Sequence, residues 1–224
     1  MGSITANHVR EHGSILAQAE KQALIWMAER LPAWVNSDHL TALGLLAMIV
    51  AGVAYWASAW SEATLLVVVG GLAVNWFGDS LDGTVARVRQ QQRPNYGFYV
   101  DHVIDIMSAL FLFGGLGLSP YMSPLVALLV LVAYLMICAE VYLATHARGI
   151  FRVSMLKVGP TELRILLAVG TLYLFHKPWV ELGGNHYLLF DVGGTVAIVG
   201  MFGALLLSTA RNTLALYRAE PIPR

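Results

Sequence analysis

Long apolar stretches alternate along the chain with short polar connections that collect most of its charge. Six such stretches can be drawn, at about His39 to Ala57, Ala63 to Val85, Phe98 to Leu118, Tyr121 to Thr145, Leu163 to Phe175 and Tyr187 to Ala210. A helix needs roughly 20 apolar residues to cross a hydrocarbon core of about 30 Å. The fifth stretch is short and must borrow from Pro160, Thr161 and Glu162 or from the segment around Trp179, so five spans is the alternative to six. Ahead of them, "SILAQAEKQALIWMAERLPAWV" sets Leu16, Ala23, Leu24, Met27 and Leu31 at helical spacing, intersperses Glu20, Lys21, Gln22 and Glu29, and ends at Pro32. That pattern predicts an amphipathic helix lying in the membrane interface, with a solvated leader helix as the alternative. The fold expected is therefore an all-α integral membrane protein with six transmembrane helices preceded by an amphipathic interfacial helix. Its divisions are an interfacial leader over residues 1–35, a six-helix membrane domain over 36–218 and a cytoplasmic tail over 219–224.

Composition supports a bilayer as solvent. Of 224 residues, 57% are apolar and only 12% charged, whereas a soluble domain carries about 25% charged residues. The formal net charge of zero hides a segregation by loop. Arg10, Lys21 and Arg30 precede the first span, Arg87, Arg89 and Arg93 follow the second, Arg148, Arg152, Lys157 and Arg164 follow the fourth, and Arg211, Arg218 and Arg224 end the chain. The alternate loops hold Lys177 alone. Because basic residues are retained on the cytoplasmic side of short loops, both termini are expected in the cytoplasm, in a multi-pass protein of the cell's inner membrane. No removable signal peptide is expected, since the N-terminus lacks a basic region joined to a short apolar core. The single cysteine, Cys138, excludes an intramolecular disulfide and reads as a packing residue.

One segment breaks the apolar pattern. "GDSLDGTVARVRQQQRPNYGFYVDHVIDIMSA", Gly78 to Ala109, holds four aspartates at the ends of two spans. Counted from Asp79, Asp82, Gly83, Ala86 and Arg87 fall at offsets of three, four, seven and eight, one face of a helix. Across a short turn, Gly97, Asp101 and Asp105 follow at intervals of four, again on one face. A short connection makes the two helices antiparallel neighbours, so the four carboxylates are expected to converge. Each would cost about 2.5–3.5 kcal/mol at a bilayer centre. Arg87 offsets one charge, whereas two divalent ions would offset four. Oxygen-only ligation favours Mg²⁺ or Mn²⁺, and a pair of such ions suits displacement at phosphorus. The lack of bulk at Gly83 and Ala86 would let a nucleotide approach the helix backbone. The bland alternative is an acidic and basic helix end paired off at the membrane face with no ligand.

The run Asp79-x-x-Asp82-Gly83-x-x-Ala86-Arg87, nine residues, then Gly97-x-x-x-Asp101-x-x-x-Asp105 resembles the signature of the CDP-alcohol phosphotransferases. The resemblance implies a six-helix membrane enzyme, usually homodimeric, that displaces CMP from a CDP-linked donor and transfers the remaining phosphoalcohol to a hydroxyl. By similarity, Asp79 and Asp101 would bridge two metals, Asp82 would complete one site, and Asp105 would complete the other and act as general base. Gly83, Ala86, Arg87 and Gly97 are then the implied nucleotide contacts. Two departures from the family pattern stand out: Ser37 and Asp38 occupy places where Pro and Asn are common, and no Ser or Thr precedes Gly97 closely.

On this basis the expected reaction uses CDP-diacylglycerol as donor and a small alcohol as acceptor, at a bilayer, with no nucleic acid as partner. Arg152 and Lys157, ahead of Gly159-Pro160, are the candidates for holding a phosphate-bearing acceptor, against a bland role in topology and lipid headgroup attraction. The alternatives are a CDP-choline or CDP-ethanolamine type of transfer to diacylglycerol, weakly suggested by "DHVID", and a divalent-cation transporter. Glu140 reads equally as a ligand or as an ion-pair partner, Asp191 as a solvated or capping residue, and the phase of His102 turns it away from the aspartate face.

Overall fold

The computed structural model describes residues 17–148, 160–220 and 222. Within them the chain forms α1 (Ala17–Arg30), α2 (Ser37–Ala57), α3 (Thr64–Val88), α4 (Pro94–Gly117), α5 (Pro124–Arg148), α6 (Pro160–Leu174), the hairpin strands β1 (Trp179–Leu182) and β2 (Asn185–Leu188), and α7 (Leu189–Ala219). Five of these helices, α2, α3, α4, α5 and α7, are long and apolar enough to cross a membrane. Leu46, Val53, Leu66, Leu128, Leu166, Val196 and Leu206 are each more than half exposed, a surface suited to lipid rather than water. The chain is a multi-pass membrane protein built from helices. The fifth expected span appears as α6, with 15 residues. It takes up Pro160, Thr161 and Glu162 but gains nothing from Trp179, which lies in β1. That hairpin was not expected from the apolar pattern. It turns at Gly183 and Gly184, with φ of +60° and +82°, values an L side chain rarely adopts and a tight two-residue hairpin requires.

Local chemistry sets the helix starts. Asn36 Oδ1 accepts the His39 backbone N–H at 2.9 Å, and His39 Nδ1 accepts the Asn36 N–H at 3.4 Å, a reciprocal cap on α2. Pro94 opens α4, where its missing N–H is no loss. Asp191 of α7 reaches the start of α5, accepting the Ser123 N–H at 2.7 Å and the Ser123 hydroxyl at 2.6 Å. The capping reading of Asp191 holds, although it caps a neighbouring helix rather than its own.

Two apolar clusters divide the interior. One, around Tyr55, Leu65, Val68, Leu72, Leu112, Leu116, Leu174 and Phe190, fills the end of the bundle near the hairpin. The other packs Leu24 and Ala28 of α1 against Leu40, Leu81 and Val85 of α2 and α3. Small residues let α2 pass close to two neighbours. An added Cβ at Gly78 would meet Leu40 O at 2.5 Å and Gly44 N at 2.9 Å, and one at Gly115 would collide with Gly52. Close backbone approach of this kind is how helices associate where burial from water offers no drive. The connections that carry the basic residues meet at one end of the bundle, as Ser37–Asp82, Arg164–Asp79 and Arg148–Asn212 contacts show.

Candidate functional site

The close α2–α3 crossing at Gly78 delivers the next residue, Asp79, to the end of the bundle where α4 begins. Carboxylate oxygens of Asp79, Asp101 and Asp105 lie within 4.8 Å of one another, and all three residues are half-buried. The structure thus brings together three of the four aspartates. Asp82, one turn further along α3, is held by α2: its side chain accepts the Thr41 hydroxyl at 2.6 Å and the Gly83 N–H, and its carbonyl accepts the Ser37 hydroxyl at 2.7 Å. It remains within electrostatic range of Asp79 and Asp101.

Arg164 of α6 donates to Asp79 at 2.5 Å, with both side chains largely shielded, and its charge also reaches Asp105. Two unit charges at the triad's spacing repel by on the order of 3 kcal/mol at an effective dielectric constant of about 20. One guanidinium cannot offset three such neighbours. The donor set, carboxylate oxygen without sulfur or imidazole among its members, fits a hard divalent cation.

The expected nucleotide contacts have differing surroundings. Arg87 donates to Thr84 Oγ1 at 3.0 Å and folds over Gly83, where an added Cβ would come within 3.2 Å of its Nη1. Ala86 lines a cavity of about 410 Å³ with Ser37, Asp38, Gln92 and Arg93, across which Arg93 and Asp38 form an ion pair. Gly97 is exposed, and a Cβ there would meet nothing within 4 Å. On the α5 side, Tyr134, Cys138 and Tyr142 recur at four-residue intervals, the free thiol of Cys138 within hydrogen-bonding reach of both tyrosine hydroxyls and within electrostatic range of Asp105. His102 turns to Phe98 O, 2.6 Å from Nδ1, and to the Tyr142 ring at 5.0 Å, with 3.8 Å to Asp101.

Several site neighbours were not legible as such. Leu40-Thr41 keeps the Leu-Thr of the entry pattern in which Ser37 and Asp38 take the places of Pro and Asn, a likeness that does not tie Thr41 or Ser37 to Asp82, and Arg164 reads in sequence as one of a run of loop cations. Glu140, ambiguous from sequence, accepts from Ser208 at 2.9 Å and Asn212 at 2.7 Å, and Asn212 in turn accepts from Arg148, so it ties α5 to α7. The candidate acceptor residues Arg152 and Lys157 lie outside the described residues, as do Arg10, Leu16, Gly159 and Arg224.

Comparison with curated proteins gives no match. The family model of the CDP-alcohol phosphatidyltransferases matches residues 34–214, from just before α2 into the last turns of α7, and includes every residue of the aspartate signature. The chain belongs to the CDP-alcohol phosphatidyltransferase family, transferases of phospholipid synthesis that act on CDP-alcohols with dependence on divalent cations.

Proposed function

We propose that the protein transfers the phosphatidyl group of CDP-diacylglycerol to a small polar alcohol and releases CMP. The observation that carries this reading is the three-carboxylate centre of Asp79, Asp101 and Asp105 inside a bundle of apolar helices. Asp79, Asp101 and Asp105, with Asp82 swung in from Thr41, would hold two divalent ions, Mg²⁺ or Mn²⁺. When bound, such ions supply charge neutralisation at the diphosphate and at the departing phosphate oxygen.

The remaining work falls to the chain's own groups. Asp105 accepts the proton of the acceptor hydroxyl as its oxygen attacks the phosphorus bearing diacylglycerol; the bond from that phosphorus to the CMP oxygen breaks and the electron pair leaves with CMP. Arg87 holds donor phosphate oxygens through its planar fork, while Gly83 and Gly97 leave room for the nucleotide and the cavity lined by Ala86 receives the cytidine. A volume of about 410 Å³ lies within the usual range of ligand sites, roughly 300–1,000 Å³. Arg152 and Lys157 would hold an acceptor that bears phosphate. The protein would work as a homodimer, with six membrane helices over 36–218, the leader over 1–35 in the interface, and both termini and the aspartates on the cytoplasmic face of the cell's inner membrane. Clustering of the carboxylates at one end of the bundle disfavours a transport path through the bilayer midplane.

The experiment is an assay of purified protein with labelled CDP-diacylglycerol against a panel of small alcohols, following CMP with Mg²⁺ present. Acceptor-dependent CMP release that disappears in Asp105→Asn supports the reading. Folded protein that releases no CMP with any alcohol, or works only with CDP-choline or CDP-ethanolamine and diacylglycerol, refutes it.

A further inference from the structure

Helix α1 lies outside the residues that match the family, 34–214, yet it reaches the frame of the aspartate centre. Glu20 Oε1 accepts the indole N–H of Trp76 at 2.9 Å and the hydroxyl of Thr161 at 2.8 Å. Trp76 precedes Asp79 by three residues on α3, and Thr161 precedes Arg164 by three on α6, so each donor shares a helix face with one partner of the Asp79–Arg164 pair. Helices α3 and α6 are therefore joined by two rungs one turn apart. One is direct, Arg164 to Asp79; in the other, α1 supplies the middle piece.

The rungs matter because the start of α6 is less deeply buried than its end. Its fully buried residues are Thr171 and Leu174, both in the last turns, where Thr171 and Tyr55 share a hydrogen bond of 2.6 Å. The half that carries Arg164 buries no residue completely. By contrast α1 is firmly seated: Leu24 and Ala28 pack on Leu81 and Val85, and the guanidinium of Arg89 donates to the carbonyls of Leu31 at 2.9 Å, Pro32 at 3.1 Å and Val35 at 2.5 Å.

We propose that Glu20 is a positioning residue, through which α1 fixes α6 against α3 and so sets where Arg164 stands at the aspartate centre. The inference rests on reading that centre as a divalent-cation site. Both bonds converge on a single oxygen, so the amide oxygen of glutamine, with its two lone pairs, can accept them equally well. Removing the rung frees Arg164 from Asp79, and the centre loses a cation that competes with the metal.

The test is Mn²⁺ affinity, read by electron paramagnetic resonance on purified, folded protein, alongside kcat and KM for CMP release. Variants are Glu20→Ala, Glu20→Gln, Thr161→Val, Arg164→Gln and the double Glu20→Ala/Arg164→Gln. Glu20→Ala and Thr161→Val are expected to tighten Mn²⁺ binding by about fivefold or more, the lower end of coupling between sites, while lowering kcat. Glu20→Gln is expected to restore wild-type affinity, and the double variant to match Arg164→Gln. Thr161→Val removes the rung from the α6 side and serves even where Glu20→Ala fails to fold. Unchanged affinity in Glu20→Ala and Thr161→Val, a Glu20→Gln variant that behaves like Glu20→Ala, or independent effects in the double variant would overturn the proposal. Wild-type protein that binds Mn²⁺ but releases no CMP contradicts the transferase substrates and leaves the brace to be judged by affinity alone. Wild-type protein that binds no Mn²⁺ removes the centre and the proposal together.

Discussion

The α2–α3 crossing makes a quantitative prediction at Gly78. A Cβ placed there would stand 2.5 Å from Leu40 O, 2.9 Å from Gly44 N and 3.0 Å from Gly44 Cα. All three are backbone atoms, so no rotamer change relieves the clash. Ordinary carbon contacts are about 3.5–4.0 Å, and α2 must therefore retreat from α3 by about 1 Å. Overpacking of this size costs about 1–3 kcal/mol. The shift falls beside Asp79 and pulls on both bonds from α2 to Asp82, and a misplacement of about 1 Å in a catalytic frame costs roughly 100-fold in rate. Two neighbours are controls: at Gly70 an added Cβ meets nothing within 4 Å, and at Gly44 it meets Asn75 Nδ2 at 3.5 Å, an ordinary contact. Thermal unfolding in one detergent and CMP release should therefore rank Gly70→Ala and Gly44→Ala near wild type and Gly78→Ala well below both. A Gly78→Ala protein as stable and active as Gly70→Ala would refute the argument that this crossing sets the site.

Three further substitutions separate the roles of individual groups. Thr41→Val removes the hydroxyl that Asp82 accepts at 2.6 Å and must give up to join the metal set; a hydrogen bond to a charged group is worth about 1.5–3 kcal/mol, so Thr41→Val should tighten Mn²⁺ binding by about tenfold or more in a titration, and Thr41→Ser should leave it unchanged. Asp105→Asn should lower kcat by roughly 10²–10⁴-fold, the usual contribution of a general base, with the protein still folded by circular dichroism. Asp191→Ala strips the cap from Ser123 at the opposite end of the bundle; unfolding should show a loss of about 1 kcal/mol, as for other helix caps, with kcat per folded molecule unchanged.

What the sequence conveyed follows from what a single helix can encode. The offsets among Asp79, Asp82, Gly83, Ala86 and Arg87 follow the helical period, so a shared face could be read directly. The short turn before Pro94 brings α4 back beside the same end of the bundle, but not as the direct neighbour of α3 that the sequence predicts: α2 packs against both helices, and the carboxylates meet across its end. The expectation that four carboxylates meet needed no more than that face and that turn, and three of them do, Asp82 being held by Thr41 instead. Thr41 and Arg164 lie 41 and 85 residues from the aspartates they bond, and no periodicity links such positions. Arg164 in particular sat among loop cations whose common property is topology, which masked its individual contact. The hairpin was missed for a different reason: Gly183-Gly184 announces a two-residue turn, but the flanking Trp179 to Leu188 is apolar enough to pass for part of a span. Likewise the leader's apolar face reads from Leu16, Ala23, Leu24, Met27 and Leu31, whereas its informative residue is the polar Glu20, whose partners come from α3 and α6.

In the proposed reaction Asp79, Asp101 and Asp105 form one divalent-cation centre against which a CDP diphosphate is held. The most direct test of that centre is anomalous diffraction from crystals grown with saturating Mn²⁺ and a cytidine nucleotide. Two anomalous peaks are expected between the α3 and α4 carboxylates, with Asp82 turned from Thr41 into the set and nucleotide phosphate density beside Arg87. Ordered nucleotide with no peak at these aspartates, or peaks elsewhere in the bundle, would contradict it.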